Sequence, residues 1–195
     1  MLGGARLEMR ARSDAGKVCY QRRMWGEVPT IRLSRLVEVA PDEVMAFLND
    51  PDIARHMPLA GDHFDAEATR KWVEGKNKQW EQNGYGPWAV HANEEFAGWC
   101  GFQREEGEAD FALVLRKRFW GLGRRIYVKA VGRGFDELGY ESIVVTLPPS
   151  RKSWRVLEKL GFRPDGETEH WGNRFLRFRL GRDDWMRFVG RGTTE

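Results

Sequence analysis

The chain has 195 residues, 41% of them hydrophobic and 31% charged, which suits one domain with its own core and excludes a disordered segment. Its 32 Lys and Arg stand against 29 Asp and Glu, a net charge of +3; that is too slight for a dedicated nucleic-acid protein and adequate for a small anionic ligand. Cys19 and Cys100 are its only cysteines, so neither a disulfide framework nor C-x-x-C metal or redox chemistry is expected, and no metal site is assigned. No run approaches the ~18 apolar residues of a membrane span and no apolar leader opens the chain, so a cytoplasmic protein without a membrane partner is expected.

Residues 1–29 lack periodicity and read as a flexible extension. From Thr30 to Leu36 apolar and polar residues alternate, predicting a half-buried strand. Pro41-Asp42-Glu43 opens a helix, because Pro suits its first turn and the acids its positive end; Asn49-Asp50-Pro51 closes it. A short helix over 52–56 and a longer one over 65–82 follow, the latter carrying Trp72, Val73 and Trp80 and ending at Asn83-Gly84. Strands are predicted over 87–92, 95–103 and 108–115, and their short connections make an antiparallel meander. A helix over 121–138, a strand over 142–147, a helix over 150–160 and strands over 167–171 and 174–180 complete the pattern. Residues 181–195 read as a C-terminal tail. The order implies a mixed α/β domain over residues 30–180.

The stretch from Leu113 to Arg125 carries the chemistry. A strand runs through a turn into a helix start bearing Gly121 and Gly123, where amide N–H groups and the positive end of the helix dipole favour phosphate. Arg116, Lys117, Arg118, Arg124 and Arg125 crowd the same turn. The third glycine of a dinucleotide fingerprint is missing, since Ile126 stands in its place, and no P-loop sequence occurs, which argues against NAD and P-loop ATP chemistry.

Arg118-Phe119-Trp120-Gly121-Leu122-Gly123 resembles the R/Q-x-x-G-x-G/A motif of the GNAT acyltransferases. The segment from Ser150 to Phe162, with Val156-Leu157-Glu158-Lys159-Leu160-Gly161-Phe162, is similar to the second signature of the RimJ/RimL-like branch of that family, as is the segment from Asn49 to Pro58. The resemblance covers about residues 30–180. It implies a GNAT-type fold, a mostly antiparallel twisted sheet of about six or seven strands flanked by about four helices. It also implies transfer of an acetyl group from acetyl-CoA to a primary amine: a protein N-terminus, an amino acid or another small amine. In three places the chain departs from the family: Ser150 stands for the usual Asn, Leu157 for a Tyr that often protonates the departing thiolate, and Leu122 for a frequent Lys.

On that resemblance, the backbone of Leu113, Val114 and Leu115 pairs with the pantetheine arm, while Arg118, Phe119, Trp120, Gly121, Leu122, Gly123 and Arg124 hold the pyrophosphate and Ser150 and Ser153 contact the coenzyme. A backbone N–H near Val114 or Leu115 serves the oxyanion. Ser153 supports the thiolate. Asp110 is the first candidate for the base, followed by Glu108 and His91. The acceptor pocket is expected from residues 52–63 and the loop with His170, Trp171 and Asn173; Trp72, Trp80, Trp88, Trp99 and Trp120 either line it or fill the core. A homodimer is the family's habit. The alternatives are a non-catalytic acyl-CoA-binding module and, last, a nucleic-acid binder, which the gathering of cations at one helix start disfavours.

Overall fold

A computed structural model describes residues 28–54, 57, 63–149, 154–170 and 172–191. Apart from Val28 and Pro29, the extension read over 1–29 lies outside the described residues. So do Ser150, Ser153, Trp171 and most of the 52–63 segment beyond Ala54.

The alternating run after Thr30 forms β1 (Ile31–Arg35). After a 3-10 turn, α1 (Pro41–Leu48) starts on its proline with Asp42 and Glu43 in the first turn and buries Val44, Phe47 and Leu48. The four-residue α2 (Pro51–Ala54) follows. Next comes α3 (Ala66–Asn83), capped at its start by Asp65, whose carboxylate accepts the Ala68 amide at 2.7 Å, and closed by Gly84 at φ 73°. Such caps satisfy backbone groups that a helix end leaves open. The meander β2 (Pro87–Ala92), β3 (Glu95–Glu105) and β4 (Glu108–Leu115) leads into a 3-10 segment over Lys117–Leu122 and then α4 (Gly123–Asp136). Strand β5 (Ser142–Leu147), helix α5 (Trp154–Lys159), the hairpin β6 (Arg163–His170) and β7 (Asn173–Gly181), and α6 (Arg182–Gly190) complete the chain.

The seven strands form one sheet in the order β1-β2-β3-β4-β5-β7-β6, and every neighbouring pair is antiparallel except β4 and β5. Strand alternation sends side chains to two cores. One face packs Phe111, Leu115, Ile143, Val145 and Leu180 against Ile126, Tyr127, Val131 and Phe135 of α4. The opposite face packs Ala89, Phe96, Trp99 and Val114 against Val44, Phe47, Ile53 and Trp72 of α1, α2 and α3. The fold is the mixed α/β sheet expected, with six helices among the described residues where about four were expected.

Three elements differ from the sequence reading. The helix expected from Gly121 starts as a 3-10 segment, in which the fully buried Phe119 and Leu122 lie three residues apart and so share one side, as its three-residue repeat requires. Strand β6 begins at Arg163, with Pro164 still paired to Phe178, because a bulge absorbs Asp165-Gly166, with Gly166 at φ 85°. The stretch read as a tail contains α6, whose Trp185 is 4% exposed and stacks between Phe135 and Phe188 with ring centroids 5.7 and 5.6 Å apart. The acids Asp183 and Asp184 favour that helix start electrostatically, and the apolar spacing of Trp185 and Phe188 anchors it. Trp185→Ala is expected to lower unfolding free energy by about 3–5 kcal/mol, read from denaturant melts, because it empties a packed aromatic site.

Candidate active site

Strands β4 and β5 share a single bridge, Asp110 to Val144, although each continues beyond it. Past that point the sheet parts. The cavity that results has a volume of about 950 Å³ and takes its lining from both faces of the sheet. Trp72, Lys76, Trp99, Gln103 and Asp110 line it on the α3 side; Gly123, Arg124, Tyr127, Leu157 and Leu160 line it on the α4 and α5 side. The gap thus joins two half-sites through the sheet.

The backbone of β4 alternates at the gap. The Arg116 amide donates to the Ala97 carbonyl at 2.9 Å, on the β3 edge. The Val114 carbonyl faces that edge too, so close to Gly98 that a Cβ there would lie 2.2 Å from it. Gly98, at φ 145°, is where only glycine fits. Alternation therefore turns the N–H and C=O groups of Leu113 and Leu115 toward the gap. The Leu115 carbonyl there accepts the Trp120 indole N–H at 2.9 Å.

Asp110 projects from β4 onto the α3 side and is 8% exposed. Burial, reinforced by the nearby Glu105 charge, pushes its carboxyl up to about 7, against the opposing hydrogen bonds from the Thr146 backbone and hydroxyl and the charge of Lys76. Its Oδ1 is enclosed and has no hydrogen-bond partner among the described residues; the same holds for Nε1 of Trp99 in the same half-site. An orphaned acceptor and an orphaned donor cost about 1–3 kcal/mol each unless something else satisfies them. Lys76 reaches over from α3, hydrogen-bonds Gln103, and is held down to about 8 by burial.

The other two base candidates stand elsewhere. Glu108 is ion-paired to Arg177 and to Arg179, the latter at 2.7 Å, and both guanidiniums also hold Asp165. Hydrogen bonds from Arg179 and Arg177 keep the Glu108 carboxyl below its ordinary range. His91 is buried on β2, with Nε2 3.0 Å from the Ser34 hydroxyl; burial first, and then the Arg32 charge, lower its pKa. Neither residue lines the cavity.

The cations expected at the phosphate corner are also distributed differently. Arg116 reaches the Glu43 carbonyl at 3.3 Å, Lys117 stands 3.9 Å from Asp52, Arg118 is ion-paired to Glu95, and Arg125 donates to the Pro29 carbonyl at 3.0 Å. Arg124 lines the cavity, its guanidinium 5.6 Å from the Phe188 ring centre. Sequence proximity placed five charges together, but an exposed turn lets long side chains fan out to separate partners. Phe119 and Leu122 are fully buried beneath the turn rather than facing a ligand. Trp120, by contrast, is 51% exposed at the cavity rim. Of the five tryptophans singled out, Trp72, Trp99 and Trp120 line the cavity, while Trp80 and Trp88 pack on each other at 5.3 Å. Among the described residues of the 52–63 segment Met57 lines the cavity, and Asn173 is not among the lining residues. Lys76, Gln103 and Thr146 escaped the sequence reading, since each looks like an ordinary surface residue until the register sets it beside Asp110.

Residues 31–163 match the family model for the acetyltransferase (GNAT) domain. The chain belongs to the GNAT acetyltransferase family. Its fold is that of solved members. An aminoglycoside acetyltransferase in complex with coenzyme A is 17% identical at a TM-score of 0.67, with 83% of this chain and 99% of that one covered. A GNAT-family acetyltransferase from Bordetella pertussis is 17% identical at 0.64, covering 80% and 98%. A spermidine N-acetyltransferase variant from Vibrio cholerae is 14% identical at 0.60, covering 84% and 98%. Members of that family are N-acetyltransferases that use acetyl-CoA.

The cavity fits that coenzyme. A Cβ built on Gly121 or Gly123 meets nothing within 4 Å, so the surface over the α4 start is open to a bulky group. No acidic residue stands in the first turn of α4 to oppose an anion there. Gly123→Leu is expected to change stability by no more than about 1 kcal/mol, because the space is open and the helix gains propensity. The same change is expected to weaken coenzyme A binding roughly tenfold or more, measured by titration calorimetry beside a thermal melt.

Proposed function

We propose that this enzyme acetylates the nitrogen of a small primary amine and that Asp110 takes the proton which the amine must lose. The observation that carries the reading is the buried, incompletely bonded Asp110 carboxylate beside the gap that joins the two half-sites. A base poised near neutrality is ionised often enough to act and basic enough to accept an ammonium proton.

Acetyl-CoA, when bound, supplies the acetyl thioester. Leu113 and Leu115 present main-chain groups for the pantetheine arm along the open edge of β4, and the Leu115 N–H is the better placed of the two oxyanion donors expected, because Val114 turns to β3. Gly121, Gly123 and Arg124 form the diphosphate end. Trp72 and Trp99 wall the acceptor side with apolar faces, while Asp110 and the Trp99 N–H offer one acceptor and one donor to the incoming amine. The second signature supports a place in the RimJ/RimL-like branch: α5 holds Val156 to Lys159, Gly161 takes φ 99° to end it, and Phe162 is buried behind. Ser150 and Ser153 keep the coenzyme-side roles that this signature suggests. The apolar wall made by Val156, Leu157 and Leu160 where a proton donor is common in the family supports a second reading, a non-catalytic acyl-CoA-binding module. Amine-dependent thiol release eliminates it.

Asp110→Asn is expected to cost about 10²–10⁴ in kcat/KM while coenzyme A still binds. In the parent enzyme the rate is expected to climb as pH rises through about 7, where the carboxyl ionises, and the variant is expected to lose that limb. Stability runs the other way. Between the ordinary 3.8 and about 7 the unfolded chain has released this proton and the folded chain still holds it, so folding loses stability across that window as pH rises. Asp110→Asn should therefore melt no lower than the parent above pH of about 7. A variant that keeps the parent's pH–rate profile refutes the assignment of the base.

A further inference from the structure

Lys76 is a primary amine held inside the cavity of an enzyme that acetylates primary amines. Its Nζ lies 4.8 Å from the Trp99 ring centre and 5.4 Å from that of Trp72, and it hydrogen-bonds the Gln103 side chain. In the β3–β4 register Trp99 pairs with Val114 and Gln103 pairs with Asp110. The nitrogen therefore stands over the stretch of β4 from Asp110 to Val114, which borders the gap leading to the coenzyme half-site. It also shares its half-site with the carboxylate read above as the base.

We propose that Lys76 is a self-acetylation site, an acceptor built into the enzyme's own cavity; this rests on the transferase reading above. The Lys76 nitrogen, once neutral, forms a C–N bond to the acetyl carbonyl as the C–S bond breaks. One Nζ proton passes to Asp110 and on to water, and the sulfur leaves as coenzyme A thiol after taking a proton. No oxidant or further reactant enters. Burial holds the amine down to about 8, so a neutral fraction exists near neutral pH, when exposed lysines are almost wholly charged. The product is an uncharged amide in place of a cation facing two indole rings, Glu105 and Asp110. That narrows the acceptor half-site and removes one of its positive charges, so acetylation of Lys76 would act as a brake on amine turnover.

The test incubates the full chain with acetyl-CoA over a pH series, follows intact mass, maps the modified peptides, and measures coenzyme A binding by calorimetry on the same protein. The expected result is an added acetyl group at Lys76, formed about tenfold or more faster than on the exposed Lys78 and Lys117, which lie outside the cavity, because the cavity holds the amine near the reacting group. Its rate is expected to rise with pH through about 8 and to fall in Asp110→Asn. Lys76→Arg, which keeps a cation over the indoles, should bind coenzyme A and show only the slow surface modification. Coenzyme binding with Lys76 unmodified, or modified no faster than the exposed lysines, overturns self-acetylation alone. Failure to bind coenzyme A overturns the transferase reading together with it.

Discussion

A parallel pairing that stops after one bridge governs this molecule. Had β4 and β5 stayed paired along their length, the main-chain groups of Leu113 and Leu115 would be spent on the sheet and no passage would cross it. Ending the pairing at Asp110 and Val144 costs ladder hydrogen bonds, and the antiparallel pairings on either side hold the sheet together regardless. β3 and β4 are matched over eight positions, β5 and β7 over six. Packing of Ile126 and Tyr127 from below and of Trp72 from above keeps the parted strands in place. Open edges of this kind invite another chain or ligand to complete them.

Electrostatics then separates two carboxylates only two residues apart on the same side of β4. Glu108 meets two guanidiniums and is fixed as an anion in a structural network with Asp165. Asp110 meets apolar neighbours, Thr146 and a buried lysine, and retains its proton far longer. The Arg177 and Arg179 side chains, by occupying Glu108, leave Asp110 as the carboxylate near the gap whose charge responds to neutral pH. Two similar acids thus acquire different roles from their surroundings alone.

Much of the scaffold is legible in the amino-acid sequence. The Pro41 helix start, the Asp65-to-Gly84 helix and the three-strand meander each carry local signals that tertiary packing did not override. The order of strand, glycine-bearing turn and helix at 113–125 is likewise present, and that stretch borders the cavity. What escaped the reading is non-local. Whether Arg118 meets a phosphate or Glu95 depends on a partner 23 positions earlier in sequence, and whether Asp110 is exposed or buried depends on β5 and α3. Lys76 was invisible for the same reason: on a helix with Arg70, Lys71 and Lys78 it reads as one more solvated charge. The helical character of 182–190 was missed because acids and arginines flank its anchoring aromatics.

The alternation of β4 through the gap also bears on how such an enzyme changes over generations. Positions 110, 112 and 114 turn their side chains to the α3 side of the cavity and its core; positions 111, 113 and 115 turn theirs to the other core, and 113 and 115 present main-chain groups to the opening. Main-chain groups are indifferent to most replacements. A lineage is thus free to redraw the cavity wall at Trp72, Trp99 or Ala112 while the main-chain groups along the opening persist.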